Sequence, residues 1–151
     1  MFSLKEYAPD LGLLAEAGLI AIKQGDEESA KKLFNAVGLL DSESPTKKMG
    51  YGLIALHKLD IQDAQKHFSE ILKVEPKNMR AMAFIAFTHM LSVMGTTKTP
   101  LTDEKKIEHL KLASEFSNQV LNSNASDPST KQLAQSILDW QQELLQLDAQ
   151  R

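Results

Sequence analysis

The four histidines are the side chains of this sequence best able to bind a metal or move a proton near neutral pH. They stand at positions 57, 67, 89 and 109, and the chain has no cysteine. Two histidines of one helix reach a common metal ion when they are three or four residues apart, and no pair here has that spacing. The sequence therefore predicts no metal site and no cofactor. It places His89 in an interior gap and leaves His57 free to face a binding surface.

A glycine pattern offers the other chemical possibility. The segment Gly50-Tyr51-Gly52-Leu53-Ile54-Ala55 resembles part of a dinucleotide-binding fingerprint. That fingerprint works only at a turn between a strand and a helix, whereas this segment lies inside a predicted helix. The chain contains neither a GxxxxGK[ST] loop nor an HExxH motif. The acidic residues are scattered, as on solvated helix faces, so the sequence predicts a protein that is not an enzyme.

The amino-acid composition limits which kinds of protein this chain can be. The 151 residues are 42% hydrophobic and 25% charged, which is typical of one globular domain. A formal net charge of −3 argues against a general affinity for nucleic acid. The most apolar stretch, residues 81–94, is too short to span a bilayer. The opening MFSLKEYAPD has no basic patch followed by a long apolar run. We therefore expect a cytoplasmic protein with no membrane span.

An internal repeat organises the first half of the chain. Residues 11–44 align with residues 45–78 without a gap, and eight of 34 positions are identical. Unrelated sequences would share roughly two or three. The identical pairs are Gly18 with Gly52, Leu19 with Leu53, Ile20 with Ile54, Ala21 with Ala55, Asp26 with Asp60, Ala30 with Ala64, Lys32 with Lys66 and Phe34 with Phe68. Since the apolar residues follow helical spacing, each block is predicted to form two helices.

A third, altered repeat is predicted over residues 79–123. Its first helix continues the pattern, but the polar segment 95–103 is predicted to be an inserted loop. Helix resumes near Glu104, and Leu112-x3-Phe116 matches the second helices of the earlier repeats. A last helix, residues 128–148, begins with Asp127 as its N-cap and Pro128 at its first position. Its single apolar stripe predicts a helix that caps a repeat array.

The period and these residues resemble the tetratricopeptide repeat. The matching features are Ala30-x3-Phe34, Ala64-x3-Phe68 and Pro76 at the end of the second unit. The resemblance implies an all-α fold, a tetratricopeptide-repeat α-solenoid of stacked helical hairpins with a C-terminal capping helix. The whole chain, residues 1–151, is then one domain.

In that family the first helices of successive repeats line a concave surface that binds a protein ligand. Carried onto this sequence, the resemblance places twelve partner-binding residues there: Ala15, Leu19, Ile22, Met49, Leu53, Leu56, His57, Arg80, Ala83, Phe87, Met90 and Leu91. The set is mostly apolar, so it suits an amphipathic helix or an apolar extended segment. Two other interpretations remain open: the chain's own C-terminal segment fills this surface, or a dimer buries it.

Size, acidic balance and an apolar groove also resemble the cytoplasmic chaperones of bacterial type III secretion, of the needle-subunit or translocator class. That resemblance implies a secreted needle or translocator subunit as partner, possibly with a small helical co-chaperone. The alternative is a scaffold or adaptor module that joins two folded partners in a multiprotein assembly.

Overall fold

The computed structural model describes residues 10–95 and 99–150, which form seven α-helices and no strand. The helices are α1 (Asp10–Lys23), α2 (Glu27–Leu40), α3 (Thr46–His57), α4 (Ile61–Val74), α5 (Met79–Val93), α6 (Asp103–Leu121) and α7 (Pro128–Ala149). The all-α prediction is thus confirmed for the described residues. The opening segment and residues 96–98 of the predicted loop lie outside them. The chain divides into two compact units, Met1–Ile71 and Leu72–Arg151, each described by itself below.

Polar side chains set where the helices begin. Asp26, Asn78, Thr102 and Asp127 each accept a hydrogen bond from the backbone N–H three residues later. Such caps satisfy donors that the first helical turn leaves without a partner. Asp127 and Pro128 stand at the positions that the sequence predicts, and their helix runs one residue beyond the predicted end.

In unit 1 (Met1–Ile71) the close approach of helices depends on glycine. Phe34 of α2 is buried, and its ring lies against both Gly18 of α1 and Gly50 of α3. Gly52 of α3 is likewise covered by the fully buried ring of Phe68. A Cβ built on Gly52 would lie 2.5 Å from Cε1 of Phe68, well inside carbon–carbon contact distance. Each glycine therefore gives an aromatic ring the space that a side chain would take.

Two of the helix–helix turns of unit 1, between α1 and α2 and between α3 and α4, repeat one backbone conformation. Gly25 has φ 76°, and Leu59, one period later, has φ 59°. In both turns the N–H of the next residue donates a 2.9 Å hydrogen bond across the turn, from Asp26 to Ala21 and from Asp60 to Ala55. A residue in the left-handed conformation ends a helix, because it lets the following backbone N–H groups bond to carbonyls of the last helical turn. The second repeat places a leucine where glycine is favoured.

Unit 2 (Leu72–Arg151) contains α5, α6 and α7, and each of these helices contacts the other two. The buried residues of α6 are Ala113, Ser117 and Val120. They have the spacing of Ala30, Phe34 and Val37, the buried residues of α2. The predicted equivalence of Leu112 and Phe116 with Ala30 and Phe34 is therefore wrong by one residue. Its physical reason is that a small residue, Ser117, occupies the fully buried position, while Phe116 packs half-buried beside it.

Candidate functional site

Two apolar stripes of unit 1 remain accessible on its first helices. We name Ala15, Leu19, Ile22, Met49, Leu53 and Leu56 the α1/α3 face. The first three lie on α1 and the last three one period later on α3, at i, i+4 and i+7 in each helix. The two helices contact each other. Leu19 is 41% exposed, and the other five are half-buried. Leu19 therefore meets solvent, whereas Ala15 and Ile22 are partly exposed and also pack against the core cluster of unit 1.

The structure explains the orientation of the α3 stripe. Around α3, Gly50 lies against the ring of Phe34 and Gly52 against that of Phe68. The buried Ile54 belongs to the core cluster of unit 1. Helical geometry puts Met49, Leu53 and Leu56 on the side opposite Ile54. The glycine contacts thus orient α3 so that Met49, Leu53 and Leu56 lie away from Ile54 and are partly exposed.

The polar margin of this face lies at the end of α3. His57 is exposed, as the sequence proposes, and lines a cleft of about 90 Å³ together with Ile22 and Lys58. Nζ of Lys58 lies 3.2 Å from a carboxylate oxygen of Glu27, which also pairs with Lys31 at 2.7 Å. Hydrogen bonds from Lys31 and Lys58 lower the pKa of the Glu27 carboxyl. The Glu27 carboxylate therefore links the start of α2 to the end of α3.

In unit 2 the equivalent stripe of α5 is Ala83, Phe87 and Met90, and it is covered. Ala83 and Met90 have no exposed surface, so their predicted contact with a partner is wrong for this structure. Met90 packs in a cluster with Ile137 of α7, and the half-buried ring of Phe87 lies 6.5 Å from that of Trp140. The chain's own last helix thus fills this part of the predicted surface, one of the interpretations that the sequence leaves open.

The two remaining predicted residues of α5 have different surroundings. Arg80 is exposed, but its Nη2 donates a 2.8 Å hydrogen bond to Oδ2 of Asp127. Hydrogen bonds from Thr130 and Arg80 lower the pKa of Asp127 to about 2. Arg80 therefore ties α5 to the start of α7. Leu91 is half-buried.

One polar contact joins residues that the sequence treats separately. Nδ1 of His89 on α5 lies 2.8 Å from Nδ1 of His109 on α6, with the ring centroids 5.1 Å apart. The ring of His89 is stacked on Phe116, with centroids 6.1 Å apart and planes 10° apart. Burial and the neighbouring His109 lower the pKa of His89 to about 4. Since the two histidines are 20 positions apart and lie on different helices, no local spacing could reveal this pair.

A polar cleft of about 440 Å³ lies elsewhere in unit 1. Its lining includes Lys48, Tyr51 and Glu70. Nζ of Lys48 is 4.0 Å from the Glu70 carboxylate, and the Tyr51 hydroxyl donates a 2.7 Å hydrogen bond to Asn35. Lys48 and Glu70 thus pair with each other, and Tyr51 links α3 to Asn35 of α2.

Comparisons of the chain with protein families, with curated proteins and with solved structures found no match. Within residues 10–95 and 99–150, no helix combines the length and apolar character needed to cross a bilayer. The interpretation of function therefore rests on the described surfaces.

Proposed function

We propose that the chain is a protein-binding module that holds an apolar or amphipathic segment of another protein on the α1/α3 face. The observation that carries this proposal is the contrast between equivalent stripes. Leu19 is 41% exposed, whereas Phe87, two periods later, is half-buried and its ring lies 6.5 Å from that of Trp140 on α7. Three apolar positions spaced over seven residues extend for about 10 Å along a helix, two turns that a partner helix can match.

The covered stripe of α5 indicates what kind of ligand would suit the α1/α3 face. The helix that covers it is amphipathic, with Ile137, Trp140 and Leu144 on one side and exposed glutamines on the other. An α1/α3 face of similar residue types fits the same kind of helix or an apolar extended segment. Met49 adds adaptability, because an unbranched thioether fits differently shaped partners.

The finer proposal is a tetratricopeptide-repeat chaperone of the type III secretion class, acting in the cytoplasm on a needle or translocator subunit. It is supported by the 34-residue period, by the Ala30/Phe34 and Ala64/Phe68 pairs that are buried in unit 1, and by the apolar face. Such a client exposes an aggregation-prone apolar segment before export, which an apolar face of this kind would cover.

The test is co-purification from cells that express the full chain, followed by mass identification of the partner and titration of the two purified proteins. The double variant Leu19→Asp with Leu53→Asp places two charges on the α1/α3 face. Each leucine buried by a partner contributes about 1.5–3 kcal/mol, so we expect affinity to fall by about a hundredfold or more. The far-UV circular dichroism should keep its helical signal.

The matched control is Leu39→Asp with Leu59→Asp. Both leucines lie in unit 1, are more than half exposed and lie outside the α1/α3 face. This variant adds the same two charges and should bind normally. Equal loss in both variants, or full binding by the first, would contradict the assignment of the face. A client that is insoluble alone and soluble when co-expressed supports a chaperone, whereas partners stable by themselves support the scaffold alternative.

A further inference from the structure

The histidine pair between α5 and α6 has the geometry of an incomplete metal site. The Nδ1 atoms of His89 and His109 face each other at 2.8 Å, from two different helices. In the neutral pair one Nδ1 carries a proton and the other accepts it in a hydrogen bond. If both histidines carry their proton on Nε2 instead, two lone pairs point at one position. Both side chains are half-buried, so that position is within reach of solvent.

We propose that His89 and His109 bind one divalent transition-metal ion of the zinc, nickel or copper type, which links α5 to α6. Imidazole nitrogen is a preferred ligand of these ions. With metal–nitrogen bonds of about 2.0–2.1 Å, a tetrahedral ion needs its two nitrogens about 3.3 Å apart. The observed separation is 2.8 Å, so the rings must move apart by about half an ångström.

The surroundings define how the ion would be held. Among the described residues, no group of three or more histidine, cysteine, aspartate or glutamate side chains could hold a metal. Water therefore fills the remaining coordination positions, and the site binds with moderate affinity. The stacked ring of Phe116 holds the His89 imidazole in place, which reduces the entropy that the ligand loses on binding.

Imidazole binds a metal ion in its neutral form. Binding moves one proton from Nδ1 to Nε2 within the pair, and no net proton is released from two neutral rings.

The test uses the full chain, freed of metal with a chelator and titrated with Zn²⁺ by isothermal calorimetry at pH 7.5. We expect about one equivalent bound with a micromolar dissociation constant. His89→Gln and His109→Gln should each weaken binding by about tenfold or more, since even loss of an outer hydrogen bond to a ligand has that effect. The matched control is His57→Gln, an exposed histidine on α3. At saturation with Zn²⁺ the thermal unfolding midpoint of the wild type should rise by about 5 °C.

A second measurement needs no variant and covers the case in which one fails to fold. Long-range ¹H–¹⁵N spectra of the wild-type histidines should show Zn²⁺ shifting the Nδ1 signals of residues 89 and 109 together. Absence of saturable Zn²⁺ binding overturns the proposal. So does unchanged binding in both glutamine variants, or a shift confined to His57 and His67, since each places the ion elsewhere.

Discussion

Gly52 offers a direct test of the packing that orients the α1/α3 face. In Gly52→Ala, the added Cβ would lie 2.5 Å from Cε1 and 2.7 Å from Cζ of Phe68. Normal carbon contacts begin near 3.5 Å, so the ring must retreat by about 1 Å. Phe68 has no exposed surface and cannot move into solvent. The helix or the ring must therefore shift inside a packed core.

The expected magnitude follows from two opposing effects. Overpacking of a core costs about 1–3 kcal/mol. Alanine gains up to about 1 kcal/mol over glycine in helix propensity. With the full propensity gain, the free energy of unfolding should therefore fall by up to about 2 kcal/mol, measured by urea denaturation with far-UV circular dichroism as the signal.

Gly12 on α1 provides the matched control, because a Cβ built there has no atom within 4 Å. Gly12→Ala should keep only the propensity gain and raise stability by a few tenths of a kcal/mol to about 1 kcal/mol. In a double-mutant cycle, Phe68→Leu should make Gly52→Ala less costly, since the smaller side chain yields space. If Gly52→Ala stabilises the protein as Gly12→Ala does, the steric explanation of the glycine is wrong.

Two further predictions concern the turn and the buried histidine. Leu59→Gly should raise the free energy of unfolding by about 0.5–1 kcal/mol, because release of left-handed strain exceeds the added flexibility of the unfolded chain. Leu59 is 55% exposed, so little burial is lost, and a decrease in urea denaturation would show that its contacts outweigh its backbone strain. For His89 the folded pKa, about 4, lies below the ordinary 6.5, so the unfolded chain takes up the proton first. The contribution of neutral His89 to the free energy of unfolding is then fully present above about pH 6.5. It is lost as pH falls toward 4, which lowers the free energy of unfolding by at most about 3 kcal/mol. In chelator-containing buffer, the pH dependence of the unfolding midpoint should shrink in His89→Leu; an unchanged dependence would mean that another group controls it.

In the first two repeats the sequence pattern predicts which residues pack together. Gly52 and Phe68 recur one period after Gly18 and Phe34, and these pairs do pack together in unit 1. The pattern fails in the third repeat, where the buried position holds Ser117 beside Phe116. In α6 the neighbouring helices determine which residues are buried. The aromatic residue Phe116, one position before the buried Ser117, therefore leads the sequence comparison to the wrong alignment.

Sequence alone determined the helical character, the period of 34 residues, and helix starts such as Asp127, because caps and apolar spacing act within a few turns of one chain. Tertiary structure decided which equivalent residues stay accessible. Ile22 and Leu56 are partly exposed, whereas Met90, one period after Leu56, is fully buried beside Ile137 of α7. It also brought His89 to His109. Both outcomes depend on contacts between segments 20 or more positions apart, and the free energy that selects such contacts comes from burying whole faces, which no local spacing encodes.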